Sequence, residues 1–217
     1  MGDARHLSLT STRSDDAGRD SIGGAPILAA GQTWPVCFCG KRMVLFFQLD
    51  VRDVPPFVDG SHLLVFQCPE HNEANFAPDD GVLPASYWNL AQALDGPFWR
   101  IYLNKPGPES KATESEKHLE PKSFTFGTGN GGGKAIQLGG NPRWWQGEEK
   151  YSCTCGAEMS FLCQVPENYG FDKAPDAPEQ PNTFDSKQYG LFLGNEVYVL
   201  ACAAQCQPLA VWPVNQN

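Results

Sequence analysis

The chain has no apolar run approaching the roughly 20 residues that a membrane-spanning helix needs, so its sequence predicts no span. Its first 20 residues are polar and charged and lack the apolar stretch of a secretory signal. Both absences point to a soluble, cytoplasmic protein. Basic residues are scarce: 16 Lys and Arg face 25 Asp and Glu, for a net charge of −9. Residues 21–103 carry 4 basic and 8 acidic side chains and residues 134–217 carry 5 and 9, so each stretch contributes −4. Neither offers the basic face that a phosphate backbone demands, which speaks against direct nucleic-acid binding. An acidic surface steers basic protein partners instead, when it does more than keep the chain in solution. Histidine is limited to His6, His62, His71 and His118, and no Ser-His-Asp or Cys-His arrangement recurs along the chain. Residues 127–134 suggest a phosphate-binding loop only at a glance, because Thr128 and Ala135 stand where that loop needs Gly and Ser or Thr.

What the chain does have is a second copy of itself. Gly23-Gly24-Ala25-Pro26, Cys37-Phe38-Cys39-Gly40, Met43 and Gln48 return as Gly139-Gly140-Asn141-Pro142, Cys153-Thr154-Cys155-Gly156, Met159 and Gln164. The offset is a constant 116 residues, as from Cys37 to Cys153. A later block ending in Cys68 returns at Cys202, an offset of 134, so the second copy has gained 18 residues between its blocks. This pattern implies a tandem duplication with a first repeat over 21–103 and a second over 136–217, packed as one unit. Residues 1–20 hold few large apolar side chains and read as a flexible arm. Residues 104–135, rich in Lys, Glu, Ser, Pro and Gly, read as a linker.

Residues 43–49 are short, apolar and rich in β-formers, and so predict a buried strand. Residues 62–68 predict another, with Pro55-Pro56 and Asp59-Gly60 turning the chain between them. Residues 98–103, 159–165, 189–193, 196–202 and 209–214 extend the series, with a hairpin turn at Gly194-Asn195. Tyr87, Leu90, Ala91 and Leu94 fall at helical spacing and predict one short helix. The fold class expected is mainly β, an antiparallel sheet architecture in two similar halves with few short helices.

Eight cysteines remain to be explained, and outside an oxidising compartment metal ligation or free thiols are the ordinary uses. Cys37, Cys39, Cys68 and His71 form one candidate quartet and Cys153, Cys155, Cys202 and Cys206 another. Each presents soft or borderline ligands in two close pairs, as tetrahedral structural zinc sites do. The glycine after each Cys-x-Cys permits the tight turn that aims both thiolates at one ion. The alternative is that these are small buried residues at strand ends, where free cysteine packs well. Cys163, which takes the place of Phe47 in the repeat, reads as core. Paired acids such as Glu148-Glu149 read as solvated loop charge. Trp144-Trp145 reads as packing or as the wall of a peptide groove.

Gly-Gly-x-Pro, Trp34-Pro35 before the first Cys-x-Cys-Gly, Met43, Gln48-Leu49-Asp50 and Val65-Phe66-Gln67-Cys68 together resemble the YwqG-like bacterial family. Leu138 to Trp144, Cys153 to Gly156 and Gln164 carry the resemblance into the second copy. More distantly, the same order is similar to eukaryotic programmed cell death protein 2 and its relatives. The resemblance implies a duplicated β-rich fold and a non-catalytic role, either client-specific chaperoning or toxin immunity. The functional expectation is therefore a protein-interaction module with an acidic surface and no enzymatic activity. The alternative is a thiolate- or metal-dependent enzyme using Cys163 or an incomplete Cys/His site. The proline-rich insertion at 166–183 is the candidate partner-contact loop.

Overall fold

The computed structural model describes residues 4–13, 18–75, 81–83, 98–115, 117–128 and 133–217. Strand accounts for 40% of it and helix for 2%, so the expectation of a mainly β fold holds. The helix expected through Tyr87 to Leu94 lies outside the described residues.

Among the described residues, fourteen strands follow in chain order: β1 Arg5–Arg13, β2 Ser21–Ile22, β3 Ile27–Ala29, β4 Val44–Asp50, β5 His62–Gln67, β6 Trp99–Asn104 and β7 Glu109–Lys111 lead. They are followed by β8 Lys122–Thr128, β9 Ile136–Leu138, β10 Met159–Val165, β11 Phe171–Asp172, β12 Gln188–Tyr189, β13 Glu196–Cys202 and β14 Val211–Gln216. Ten of them make one sheet in the order β14-β13-β10-β9-β1-β8-β2-β4-β5-β6. Every ladder in it is antiparallel. The sheet curls until its two outer edges meet, with the Leu103 N–H of β6 donating at 2.9 Å to the carbonyl of Pro208, just ahead of β14. Its concave side holds one continuous core, built on Phe46, Phe47, Val65, Leu162, Phe171, Tyr198 and Trp212. A smaller cluster of Leu28, Met43, Leu45, Leu64 and Phe66 packs on the opposite face of β4 and β5.

The features that repeat in the sequence repeat in local geometry. A register shift falls between Leu45 and Phe47 in β4, and another between Phe161 and Cys163 in β10, 116 residues later. Gln48 accepts a hydrogen bond from the Ile27 N–H at 3.0 Å, and Gln164 accepts one from the Arg143 N–H at 3.0 Å. In both places the recurring glutamine is buried and pins the chain just after Gly-Gly-x-Pro to the neighbouring strand. A buried amide needs such partners, because leaving it unpaired costs its full desolvation.

Three expectations change. The arm expected over 1–20 contains β1, which lies in the middle of the sheet between β8 and β9, with Leu7 opposite both Phe126 and Ile136. The linker expected over 104–135 contains β7 and β8, and β8 pairs with β1 and β2. β1 and β8 are each held by backbone ladders on both edges, and low apolar content says little about such bonding. Third, no hairpin joins 189–193 to 196–202: β12 pairs with β11, and residues 192–194 make a single turn in which Phe192 and Leu193 have φ of 47° and 63°. The last edge strand forms as expected, two residues later than its sequence limits.

Candidate metal centres

The structure brings all eight proposed ligands together into two groups. The side-chain donor atoms of Cys37, Cys39, Cys68 and His71 lie within 4.8 Å of one another, and so do those of Cys153, Cys155, Cys202 and Cys206.

Local backbone explains each thiolate pair. The Cys37 N–H donates to the Lys41 carbonyl and the Gly40 N–H to the Cys37 carbonyl, at 2.8 and 2.9 Å. The same bonds recur from Cys153 to Ala157 and from Gly156 to Cys153, both at 2.8 Å. Gly40 and Gly156 have φ of 82° and 86°, a left-handed conformation that a side chain disfavours. The result is a tight knuckle whose first cysteine is buried and whose second is exposed. The other ligands come from the ends of β5 and β13. The Cys68 N–H bonds the Phe98 carbonyl at 2.6 Å and the Cys202 N–H bonds the Ala210 carbonyl at 2.9 Å, which seats both sulfurs on the sheet. The chain then turns to supply His71 or Cys206. At the second site the turn runs through Gln205, whose φ is 45°.

Distances between donors fit a tetrahedral ion. Cys39 and Cys68 sulfurs are 3.6 Å apart, Cys153 and Cys206 3.6 Å, and Cys155 and Cys202 3.5 Å. The His71 Nδ1 lies 3.3 Å from the Cys68 sulfur and 3.7 Å from that of Cys37. Four ligands at metal–sulfur distances of about 2.3 Å would have edges of about 3.8 Å. Disulfide sulfurs would be bonded at about 2 Å, and all eight cysteines are free. Each group can therefore hold one metal ion, with all four tetrahedral corners supplied by protein.

Without a metal the thiols differ. Burial raises Cys37, Cys153 and Cys206, and lifts Cys68 to about 12. Cys155 falls to about 7 because the Ala157 N–H and the neighbouring Cys202 thiol stabilise its thiolate. Burial also opposes ionisation of Cys39, but the Lys41 N–H and the Cys68 thiol outweigh it and hold Cys39 below the ordinary value.

The remaining candidates are placed as follows. Cys163 is fully buried in β10, paired with Leu138 and Val199, and burial alone pushes its thiol well above the ordinary range. That makes it a core residue, as its exchange with Phe47 suggests. Trp144 packs on Tyr198 at 4.3 Å between ring centres, while Trp145 is largely exposed. Glu149 is not simply solvated, since it accepts from the Tyr151 hydroxyl and from Gln216 Nε2.

One feature has no residue-by-residue signature in the sequence. The inserted loop and the strand that follows it wall a cavity of about 200 Å³, lined among others by Asn168, Tyr169, Asn182, Phe184, Asp185 and Gln188. The proline-rich insertion marks the region, but isolated polar side chains carry no motif.

No protein-family model matches the chain, and no curated protein matches it either.

Proposed function

We propose that the protein is a non-enzymatic interaction module: an acidic β scaffold, stapled by two structural zinc ions, that binds a basic protein partner in the cytoplasm. The observation that carries this reading is that each quartet supplies four protein ligands to one point. A closed tetrahedron leaves no corner for substrate, and ligands drawn from a knuckle and a strand end would cross-link the fold. Zinc is the ion favoured by four thiolates, or by three with an imidazole. The even −4 of each half supports a cationic partner.

On this reading the repeat arose by tandem duplication. The resemblance to YwqG-like proteins, and more distantly to programmed cell death protein 2, favours a toxin-immunity or client-specific chaperone role. The thiolate-enzyme reading is weaker, because Cys163 has neither solvent access nor a stabilising cation.

The test is native mass spectrometry of the full chain purified from its own cells without added metal or chelator. Two zinc ions per chain and a basic protein at defined stoichiometry, released by salt, are expected. Metal-free protein would remove the staples, and absence of any bound protein would remove the partner.

A further inference from the structure

We infer that the cavity beside the inserted loop receives an arginine side chain from a basic segment of the protein partner. The inference rests on the partner-binding reading above and names the contact through which it would act.

The cavity lies mostly in the part of the second half that the first half lacks, with Asn72 of the first half also on its wall. Asn168, Tyr169 and Gly170 line one side, and residues 182–185, Gln188 and Gly190 line another. At about 200 Å³ it falls below the roughly 300 Å³ at which small-molecule sites begin, and suits a single long side chain. Among the described residues, no Lys, Arg or His lines it.

Its free polar atoms include several acceptors. Gln188 Nε2 donates to Asp172 Oδ1 at 3.0 Å. This holds the other end of the amide against Gly170, where an added Cβ would lie 1.9 Å from Oε1. Among the described residues that Oε1 accepts no hydrogen bond. The side-chain amides of Asn168 and Asn182 are likewise unengaged among the described residues. Asp185 uses Oδ1 to accept from the Lys187 N–H at 2.8 Å, which leaves its second oxygen available.

Aromatic surface completes the site. Phe184 is 87% exposed, which leaves its ring face open for an incoming side chain to stack on. Tyr169 also lines the cavity, packed edge-on to Phe171 at 5.0 Å.

A guanidinium carries five N–H donors and no acceptor, is always charged, and stacks on aromatic faces. Acceptors, one carboxylate and two rings with no competing cation match it better than they match an anion or an aliphatic side chain. The negative charge of the chain would draw such a segment in.

The experiment uses the full-length zinc-loaded protein and an unstructured Gly-Ser peptide carrying three arginines, followed by calorimetry and by amide NMR. The arginine peptide should shift signals of residues 182–188 and bind at least about tenfold tighter than its citrulline counterpart. Phe184→Ala and Asp185→Asn should each weaken it about three- to tenfold, with zinc content and thermal unfolding unchanged. Equal binding of the citrulline peptide would overturn the inference in favour of a neutral ligand. Arginine-peptide binding that neither variant alters would also overturn it, while leaving the partner reading intact. That reading fails separately, if the purified protein carries no bound protein.

Discussion

Trp99 and Trp212 meet edge to face, ring centres 5.5 Å apart at 85°, and this contact joins the two outer strands of the ten-stranded sheet. Both rings are almost wholly buried, and Trp99 Nε1 donates to Asn75 Oδ1 at 3.2 Å. Truncating a buried tryptophan costs about 3–5 kcal/mol through lost burial and the cavity left behind. Trp212→Ala should therefore lower unfolding free energy by about that amount in denaturant titration. A double-mutant cycle with Trp99→Ala should return about 1 kcal/mol of coupling. A loss below about 1 kcal/mol for Trp212→Ala would mean that the closure of the sheet is carried elsewhere.

The metal sites should be separable. On the proposed two-zinc reading, Cys155→Ser removes one thiolate from the second quartet, and zinc content is expected to fall from two per chain to one while the first site keeps its ion. Cys68→Ser should do the converse. Each variant should unfold at lower temperature, because the bound metal contributes directly to folding free energy. Cys163→Ala should retain two ions and lose only the small packing contribution of a buried thiol, about 1 kcal/mol. Metal analysis beside calorimetry checks all three.

His62 sets an acid limit. It is buried at the start of β5, and burial first, then the Arg19 guanidinium, lower its pKa from 6.5 to about 4 against the opposing carboxylates of Glu109 and Asp50. A histidine whose folded pKa lies below its unfolded one binds fewer protons when folded than when unfolded. Its contribution is therefore complete above pH 6.5 and drains away as pH falls towards 4. The loss by pH 4.5 should be roughly 2–3 kcal/mol. It is read as the extra acid sensitivity of wild type over His62→Asn in unfolding free energy, measured at about pH 7 and about pH 4.5. Parallel pH profiles would show that His62 does not titrate in this window.

The seat of β1 can be tested through a glycine packed against the residue that enters it. Gly140 has φ of 72°, and an added Cβ would lie 2.7 Å from the Ala4 Cβ. Gly140→Ala should cost about 1–3 kcal/mol, the left-handed strain adding to the steric clash. Hydrogen exchange in β1 should rise more than in β4. Unchanged protection of β1 would show that the chain entering β1 shifts freely.

Much of the candidate site is legible in the sequence. Cys-x-Cys-Gly is a local device: a glycine able to take φ above +80° closes a turn on its own, so each knuckle can be read from four residues. Gln48 and Gln164 stand out as recurring polar residues inside apolar runs, which marks a buried hydrogen-bonding role. His71 and Cys206 are marked only by their nearness to strand-ending cysteines, since the turns that aim them are not repeated. The wall made by Asn182, Phe184 and Gln188 has no signature, because its members are isolated polar and aromatic residues on a loop.

By itself, the sequence determined the long strands β4, β5, β6, β10, β13 and β14, the two knuckles and which side chains could serve as ligands, all of which follow from neighbours a few residues apart. It also determined the acidic charge, which is a sum and needs no geometry. Only the tertiary structure decided that β1 and β8 are central strands, with Ser8 opposite Thr125 at their shared seam. It alone decided that Trp99 meets Trp212 across the closing edge, and that Gln188 lies against Gly170. Those outcomes depend on backbone ladders and on side chains far apart in sequence. Such pairing energy belongs to two segments jointly, so the composition of either one alone does not contain it.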